Sequence, residues 1–345
     1  AADDYIKRFA GANRREQAET LKAIYAPDLT FVVPILCNLA LADLADWESI
    51  PPLPFELAAL PSPLLKTFRL HVVSYALPAL IAMGQLLYVK GRRGNILSSI
   101  LRRAAMKTAL IKLGRLQPSS GGFLEATPLT AFVLMSLAGA GRRDHPVIGR
   151  GSEFLKSLRR PDGSWPIDSN LSVWLTTRAV AALNVYPGET TPGADGMRAW
   201  LLDRQETDVH PFTGAQPGGW GWSHLPGSVP DADDTSGALI AIARCFDKPA
   251  SHPDTLKLAI RYGVRWLIEL QNSDGGWPTF CRGWGKLPFD RSSPDITSHA
   301  IRALTATSAI HPPDRIANSI QHGLDYLKRT QKPDGSWVPL WFGNQ

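Results

Sequence analysis

The sequence predicts an all-α protein, an α/α barrel (toroid) built from repeated helix pairs, with part of a second and less regular helical domain. Three observations carry this. One loop design recurs five times along the chain. Each of the first four copies sits between an amphipathic segment and an Ala-rich one. Strand-type alternation is weak throughout. The repeat occupies residues 116–345, and residues 1–115 form the other, partial domain.

In residues 1–115, turns rich in Pro and Leu (Ile50-Pro51-Pro52-Leu53-Pro54 and Leu60-Pro61-Ser62-Pro63) separate apolar helices. The nineteen residues from His71 to Val89 carry no Asp, Glu, Lys or Arg, which meets the length of a membrane span. The run also holds Ser74, Pro78, Gly84 and Gln85, and a buried core helix is the favoured reading. Six basic residues follow within eighteen positions that contain no acid: Lys90, Arg92, Arg93, Arg102, Arg103 and Lys107. They equal the whole net charge of +6, so the rest of the chain is near balance. Without interleaved aromatics or a recognised motif, the patch weighs against nucleic acid. Ile96, Leu97, Ile100, Leu101 and Ala104 run beside these bases. Such a pattern suits an interfacial helix on anionic lipid, and equally the solvated surface of a core helix.

The five loops are Leu116-Gln117-Pro118-Ser119-Ser120-Gly121-Gly122-Phe123, Leu158-Arg159-Arg160-Pro161-Asp162-Gly163-Ser164-Trp165, Gln205 through Gly218-Gly219-Trp220, Leu270-Gln271-Asn272-Ser273-Asp274-Gly275-Gly276-Trp277, and Thr330-Gln331-Lys332-Pro333-Asp334-Gly335-Ser336-Trp337. In each a helix ends at the start of the loop, near the Gln in four of the five, a Pro/Asp/Gly turn follows, and the aromatic packs back as a clamp. Ala-rich helices then open near Thr130, Thr176, Thr235 and Thr297. Two helices per repeat, stacked side by side, give the barrel.

The third Ala-rich helix opens on Asp231-Ala232-Asp233-Asp234-Thr235. Three carboxylates within four positions cannot all ionise easily, and burial disfavours ionisation further. At least one is therefore expected in a protonated, proton-donating form at neutral pH. The next repeat carries Asp295 two residues before Thr297, the site equivalent to Asp233, and His299 lies four residues beyond Asp295, on the same helix face. The competing explanations are helix capping for the carboxylates and an ordinary core histidine for His299.

The bulk numbers are those of a globular chain: 345 residues, 44% hydrophobic, 20% charged, with eleven Trp. Cys37, Cys245 and Cys281 are few and far apart, which suggests a reducing compartment. No secretory signal is read, and the chain opens on Ala1 instead of Met.

At these residues the chain resembles the squalene-hopene cyclases, within the class II triterpene cyclase family, from about residue 30 to the end. The loops look like the family's QW motifs. Asp231 to Thr235 looks like its DxDDT acid motif, with Gly218-Gly219-Trp220 ahead of it, and Asp295-Ile296-Thr297-Ser298-His299 looks like its DxTAH segment. The resemblance implies an enzyme that protonates a terminal alkene of a linear polyprene, squalene first, and guides carbocation closure to a polycyclic triterpene such as hopene. Asp233 would donate the proton, His299 would partner it, Asp231 and Asp234 would set the local charge, and Asp295 would orient His299 or a reprotonating water. Trp174, Trp222 and Phe280 would line the cation cavity, where aromatic faces attract positive charge. The expected partners are the polyprene lipid and a membrane surface (a monotopic, bacterial-type enzyme on the cytoplasmic face). A homodimer is left open, and no cofactor or metal is implied.

The chain departs from the family pattern in two places. Trp174-Leu175-Thr176 stands where Trp-Asp-Thr is common, and Cys281 to Asp290 does not follow the hopene-cyclase sequence. Family members are also much longer, so a fragment lacking both ends is expected, with its own activity left open. A protein prenyltransferase β-subunit would need a zinc set, for which Cys281, Asp290, Asp295 and His299 are poorly spaced. A non-catalytic α/α toroid that binds a partner would have no reason to keep the acids and His299 together.

Overall fold

The computed structural model describes residues 2–26, 32–60, 76–91, 95–183, 193–210, 213–244, 254–279, 290–310, 313–338 and 340. Among them are thirteen α-helices, joined by turns and 3-10 segments, in the expected all-α, α/α class. The chain forms two compact units, residues 1–169 and 170–345. The repeat starts inside the first of these, since its first two loops close helices of that unit.

The first unit contains α1 (Ala2–Ala10), α2 (Arg14–Tyr25), α3 (Val32–Leu41), α4 (Leu77–Lys90), α5 (Ile96–Leu116), α6 (Thr127–Gly139) and α7 (Pro146–Leu158). In α4, Leu77, Pro78 and every residue from Leu80 to Leu87 are buried, as befits a helix apolar on all sides. It packs on α5, α6 and the 3-10 segment Phe55–Ala59. Gly84 allows that contact, because a Cβ there would lie 2.7 Å from the Phe55 Cβ. The apolar run seen in the sequence is therefore a core helix over residues 77–90; residues 71–75 lie outside the described residues. No helix among the described residues is long and apolar enough to cross a membrane. On α5, Asn95 caps the start by accepting the Ser98 N–H at 2.8 Å. Ala105, Ala109 and Leu113 turn inward. Ile96, Leu97, Ile100 and Leu101 are all exposed, with Arg103 and Lys107 beside them, while Arg102 reaches Glu56 at 3.2 Å.

The second unit contains α8 (Ser172–Leu183), α9 (Ala194–Asp203), α10 (Ala232–Arg244), α11 (Asp254–Leu270), α12 (Pro294–Ala306) and α13 (Pro313–Thr330). Here α10 lies between α8 and α12, and α9 and α11 also pack on it; α13 lies against α11 and α12. Being covered on so many sides, α10 is buried from Asp234 through Ile242. Its Gly237 faces Thr177 of α8, where a Cβ would come within 2.8 Å of the Thr177 hydroxyl. The only strand pair among the described residues joins Trp277–Pro278 to Ser292–Ser293, antiparallel.

The repeated loops share one hydrogen-bond scheme. Gln117 Nε2 donates to the carbonyls of Gly121 and Val147, Gln205 Nε2 to those of Gly218 and Ala259, and Gln271 Nε2 to those of Gly275 and Ser319. Each Gln thereby ties its own turn to the following helix pair. The indole N–H of Trp165, Trp220, Trp277 and Trp337 donates to the carbonyl of Leu155, Leu201, Leu267 and Leu327 respectively, at 2.7 to 2.9 Å. The Thr of the next helix accepts the aromatic residue's own N–H in three copies: Thr130 from Phe123, Thr235 from Trp220 and Thr297 from Trp277, each at 3.0 Å. The turn glycine two residues before each aromatic has a positive φ, from 84° to 118°, which L side chains rarely adopt. Trp220 and Trp277 are fully buried, whereas Trp165 and Trp337 are 45% and 40% exposed.

Candidate active site

The candidate site lies within the second unit, where α8, α10 and α12 meet. Asp231 precedes α10, and its Oδ1 accepts the Asp234 N–H at 2.8 Å. Asp231 therefore caps the helix, and Asp234 is its third residue. The Asp231 N–H donates to the Trp220 carbonyl at 3.1 Å, which anchors the acid segment to its own repeat loop. Both carboxyls are buried side by side, and burial pushes each towards its protonated form. Burial, and then the charge of Asp234, holds Asp231 well above the usual carboxylate range. Burial likewise pushes Asp234 up to about 7, with the Asp233 charge adding to it and the Asp231 hydrogen bond working against it.

Asp233, one residue into α10 past Ala232, points elsewhere. Its Oδ1 lies 2.5 Å from His299 Nδ1 on α12. Its Oδ2 accepts the Trp174 indole N–H from α8 at 3.1 Å. Arg178, also on α8, places Nη2 3.0 Å from both oxygens. Burial alone would raise this carboxyl, but the bond to His299, the charges of His299 and Arg178, and the Trp174 bond together bring it below its ordinary value. The acid cluster thus divides by environment. Asp231 and Asp234 are pushed towards the protonated form, as crowding and burial require, while Asp233 is the strong acid of the three. Capping accounts for Asp231 and leaves the contacts of Asp233 unexplained.

The geometry of the other candidates is mixed. His299 is buried and its Nδ1 is spent on Asp233, 66 residues away, so it is no backbone-bonded core histidine at that nitrogen. Asp295 is exposed, and its Oδ1 takes a short hydrogen bond from the Ser293 hydroxyl at the start of α12. Trp174 is half-buried and bonds the acid directly. Trp222 is buried, and its carbonyl accepts the N–H groups of Val173 and Trp174 at 3.0 and 3.2 Å, fixing the start of α8. Phe280, Cys281 and the loop to Phe289 lie outside the described residues. Among the described residues no group of three His, Cys, Asp or Glu could hold a metal ion. Arg178 was not legible as a site residue. Its one signal is its place four residues after Trp174, on the same face of α8.

The raised pair predicts a pH dependence. A carboxyl whose folded value lies above its unfolded one binds more protons in the native state, so stability falls as pH rises between the two values. For Asp234 that window runs from 3.8 to about 7. Urea midpoints are expected to decline across it in the wild type and to decline less in Asp234→Asn. Stability that rises across the window would contradict the raised Asp234 carboxyl.

Residues 170–345 match the family model described as the squalene-hopene cyclase C-terminal domain. Relatives include the squalene–hopene cyclase of Alicyclobacillus acidocaldarius, 29% identical over 265 residues, covering 70% of this chain and 40% of that protein. The drimenyl diphosphate synthase of Streptomyces showdoensis is 30% identical over 205 residues, covering 59% and 32%. The sporulenol synthase of Bacillus subtilis is 29% identical over 233 residues, covering 61% and 35%. Among solved structures, the ent-copalyl diphosphate synthase from Streptomyces platensis aligns over 98% of this chain and 68% of that one, at 16% identity and a TM-score of 0.43. The chain spans no more than two fifths of the length of these three curated relatives. With the match to the C-terminal domain covering half of it, the chain belongs to the squalene-hopene cyclase family of class II terpene cyclases.

Proposed function

We propose that the protein to which this chain belongs protonates a terminal alkene of a linear polyprene, squalene first, and steers the resulting carbocation into a polycyclic triterpene of the hopene kind. The observation that carries the reading is Asp233, held by His299, Trp174 and Arg178 where three helices meet. An alkene is a very weak base, so its proton must come from an acid stronger than an ordinary carboxyl. In the reaction the Asp233 O–H gives its proton to one alkene carbon and the π electrons form the new C–H bond. The neighbouring carbon becomes cationic and is attacked by the next double bond. Asp233 is left as a carboxylate, stabilised by the Trp174 N–H and by His299, whose Nδ1–H donates to it before and after the transfer. On this reading Asp231 and Asp234 keep charge near Asp233 low, Trp222 and Phe280 line the cavity with Trp174, and Asp295 acts through Ser293 or water and not by contact with His299.

The exposed row Ile96, Leu97, Ile100 and Leu101 with Arg103 and Lys107 supports placement on an anionic membrane surface, from which a lipid substrate would be drawn. A second substrate class has its own support: a relative at 30% identity is named for a diphosphate product, so a shorter polyprenyl diphosphate is the alternative. The test is incubation of the complete reading frame with squalene, oxidosqualene, and farnesyl and geranylgeranyl diphosphates, with products read by gas chromatography–mass spectrometry. A cyclic squalene isomer is expected. Cyclisation of a diphosphate alone would replace squalene with the alternative, and no cyclic product from any of the four would end the cyclase reading.

A further inference from the structure

We propose that Arg178 is a positioning residue that occupies the proton-delivering end of Asp233 in the empty site and has to swing away before the carboxyl can reach an alkene. The inference deepens the cyclase reading and rests on it for its meaning, though not for its measurement. A single nitrogen, Nη2, stands 3.0 Å from both oxygens of Asp233, on the plane that bisects the carboxylate. His299 and Trp174 each take one oxygen, so Arg178 holds the end they leave. An O–H aimed at substrate and a guanidinium aimed at the carboxylate compete for that end.

Arg178 is built to be released. It lies four residues beyond Trp174 on α8, and its guanidinium carbon sits 5.3 Å from the centre of the Trp174 ring. Its side chain is 44% exposed, against 20% for Asp233, so an outward rotation returns the cation to water without breaking the Asp233–His299 pair. An apolar polyprene end entering the site would drive that rotation, because burying a guanidinium against hydrocarbon is unfavourable. An anionic or strongly polar end would have the opposite effect and hold Arg178 in place. The arrangement therefore selects an apolar terminus at the acid: Arg178 holds the carboxylate until one arrives, and Asp233 takes its proton from water as Arg178 leaves. The ionisable groups acting on Asp233 are His299 from α12, Arg178 from α8, and Asp231 and Asp234 on its own segment.

The test reads the acid directly, in this chain, by NMR titration of aspartate labelled with carbon-13 at the side-chain carboxyl. The Asp233 signal is assigned by its loss in Asp233→Asn. In Arg178→Met the Asp233 midpoint is expected to rise by about 1 to 3 pH units. Arg178→Lys should keep it near the wild-type position, and Arg178→Gln serves if the methionine variant does not fold. An unmoved midpoint in a folded Met or Gln variant, or a Lys variant that behaves like Met, overturns the proposal. In the complete reading frame, Arg178→Met should move the pH profile of kcat upward and raise kcat at neutral pH, with KM little changed. A fall in kcat on an unshifted profile would make Arg178 merely structural. Were the protein to cyclise none of the four polyprenes, the cyclase reading would fail while the titration still reported whether Arg178 governs Asp233.

Discussion

Asp233→Asn, in the complete reading frame, is expected to remove cyclic product by a factor of at least about 10² to 10⁴, the usual contribution of a positioned general acid. The amide matches the carboxyl in shape and still offers an oxygen to His299 or Trp174, but it has no acidic proton to give. The helix start should survive the change, because the cap belongs to Asp231 and not to Asp233. Circular dichroism melts of the two proteins provide the control. Product loss with the melt preserved assigns the proton to Asp233. Retained product would move the donor to the Asp231–Asp234 pair, whose carboxyls burial pushes towards the protonated form at the helix cap.

Trp277→Ala should cost about 3 to 5 kcal/mol of stability, well beyond truncation of the exposed loop tryptophans. Trp277 is fully buried, and its indole N–H satisfies the Leu267 carbonyl at 2.8 Å. Its ring packs on Gly323 of α13, where a Cβ would stand 2.9 Å from Cζ3. Truncation would open a cavity between α11 and α13, while the Leu267 carbonyl would keep the Gln271 N–H, at 3.2 Å, as its partner. Trp337→Ala is the internal comparison. That side chain makes the same bond, to Leu327 at 2.9 Å, but is 40% exposed, so its removal should cost less than half as much. Urea unfolding of the two variants settles the matter, and equal losses would show that the shared bond, and not burial, carries the stability.

The fold was legible because its signals are local. A glycine turn two residues before an aromatic, with a Gln ahead of it in four of the five copies, marks where helices end, and the Ala-rich stretches at Thr130, Thr176, Thr235 and Thr297 all fall inside helices. The repeat equates Asp233 with Asp295, and the pairing of Asp233 with His299 across 66 residues was an implication of the family resemblance alone. What escaped was set by packing between helices. Arg178, on an Ala-rich helix, reads as a solvated base until α8 is laid against α10. Trp174 reads as an apolar wall, yet its N–H is its working part. Asp295 shares a helix face with His299, but so near the start of α12 a hydroxyl two residues back is the closer partner. Spacing also could not tell buried loop tryptophans from exposed ones, since Trp165 and Trp220 occupy equivalent places in the repeat and differ entirely in burial.

The third loop shows how such a frame can be lengthened. Gln205 and Gly218 are 13 residues apart, while Gln271 and Gly275 are 4 apart, yet both pairs close the same bond at 2.8 Å. The extra chain enters and leaves through a staple that fixes its two ends, so the helices on either side need not register its length. Closing the longer excursion costs about 1 kcal/mol more in chain entropy. Each staple is thus a splice point, where a segment of new sequence can be set beside the site without redrawing the scaffold that holds it.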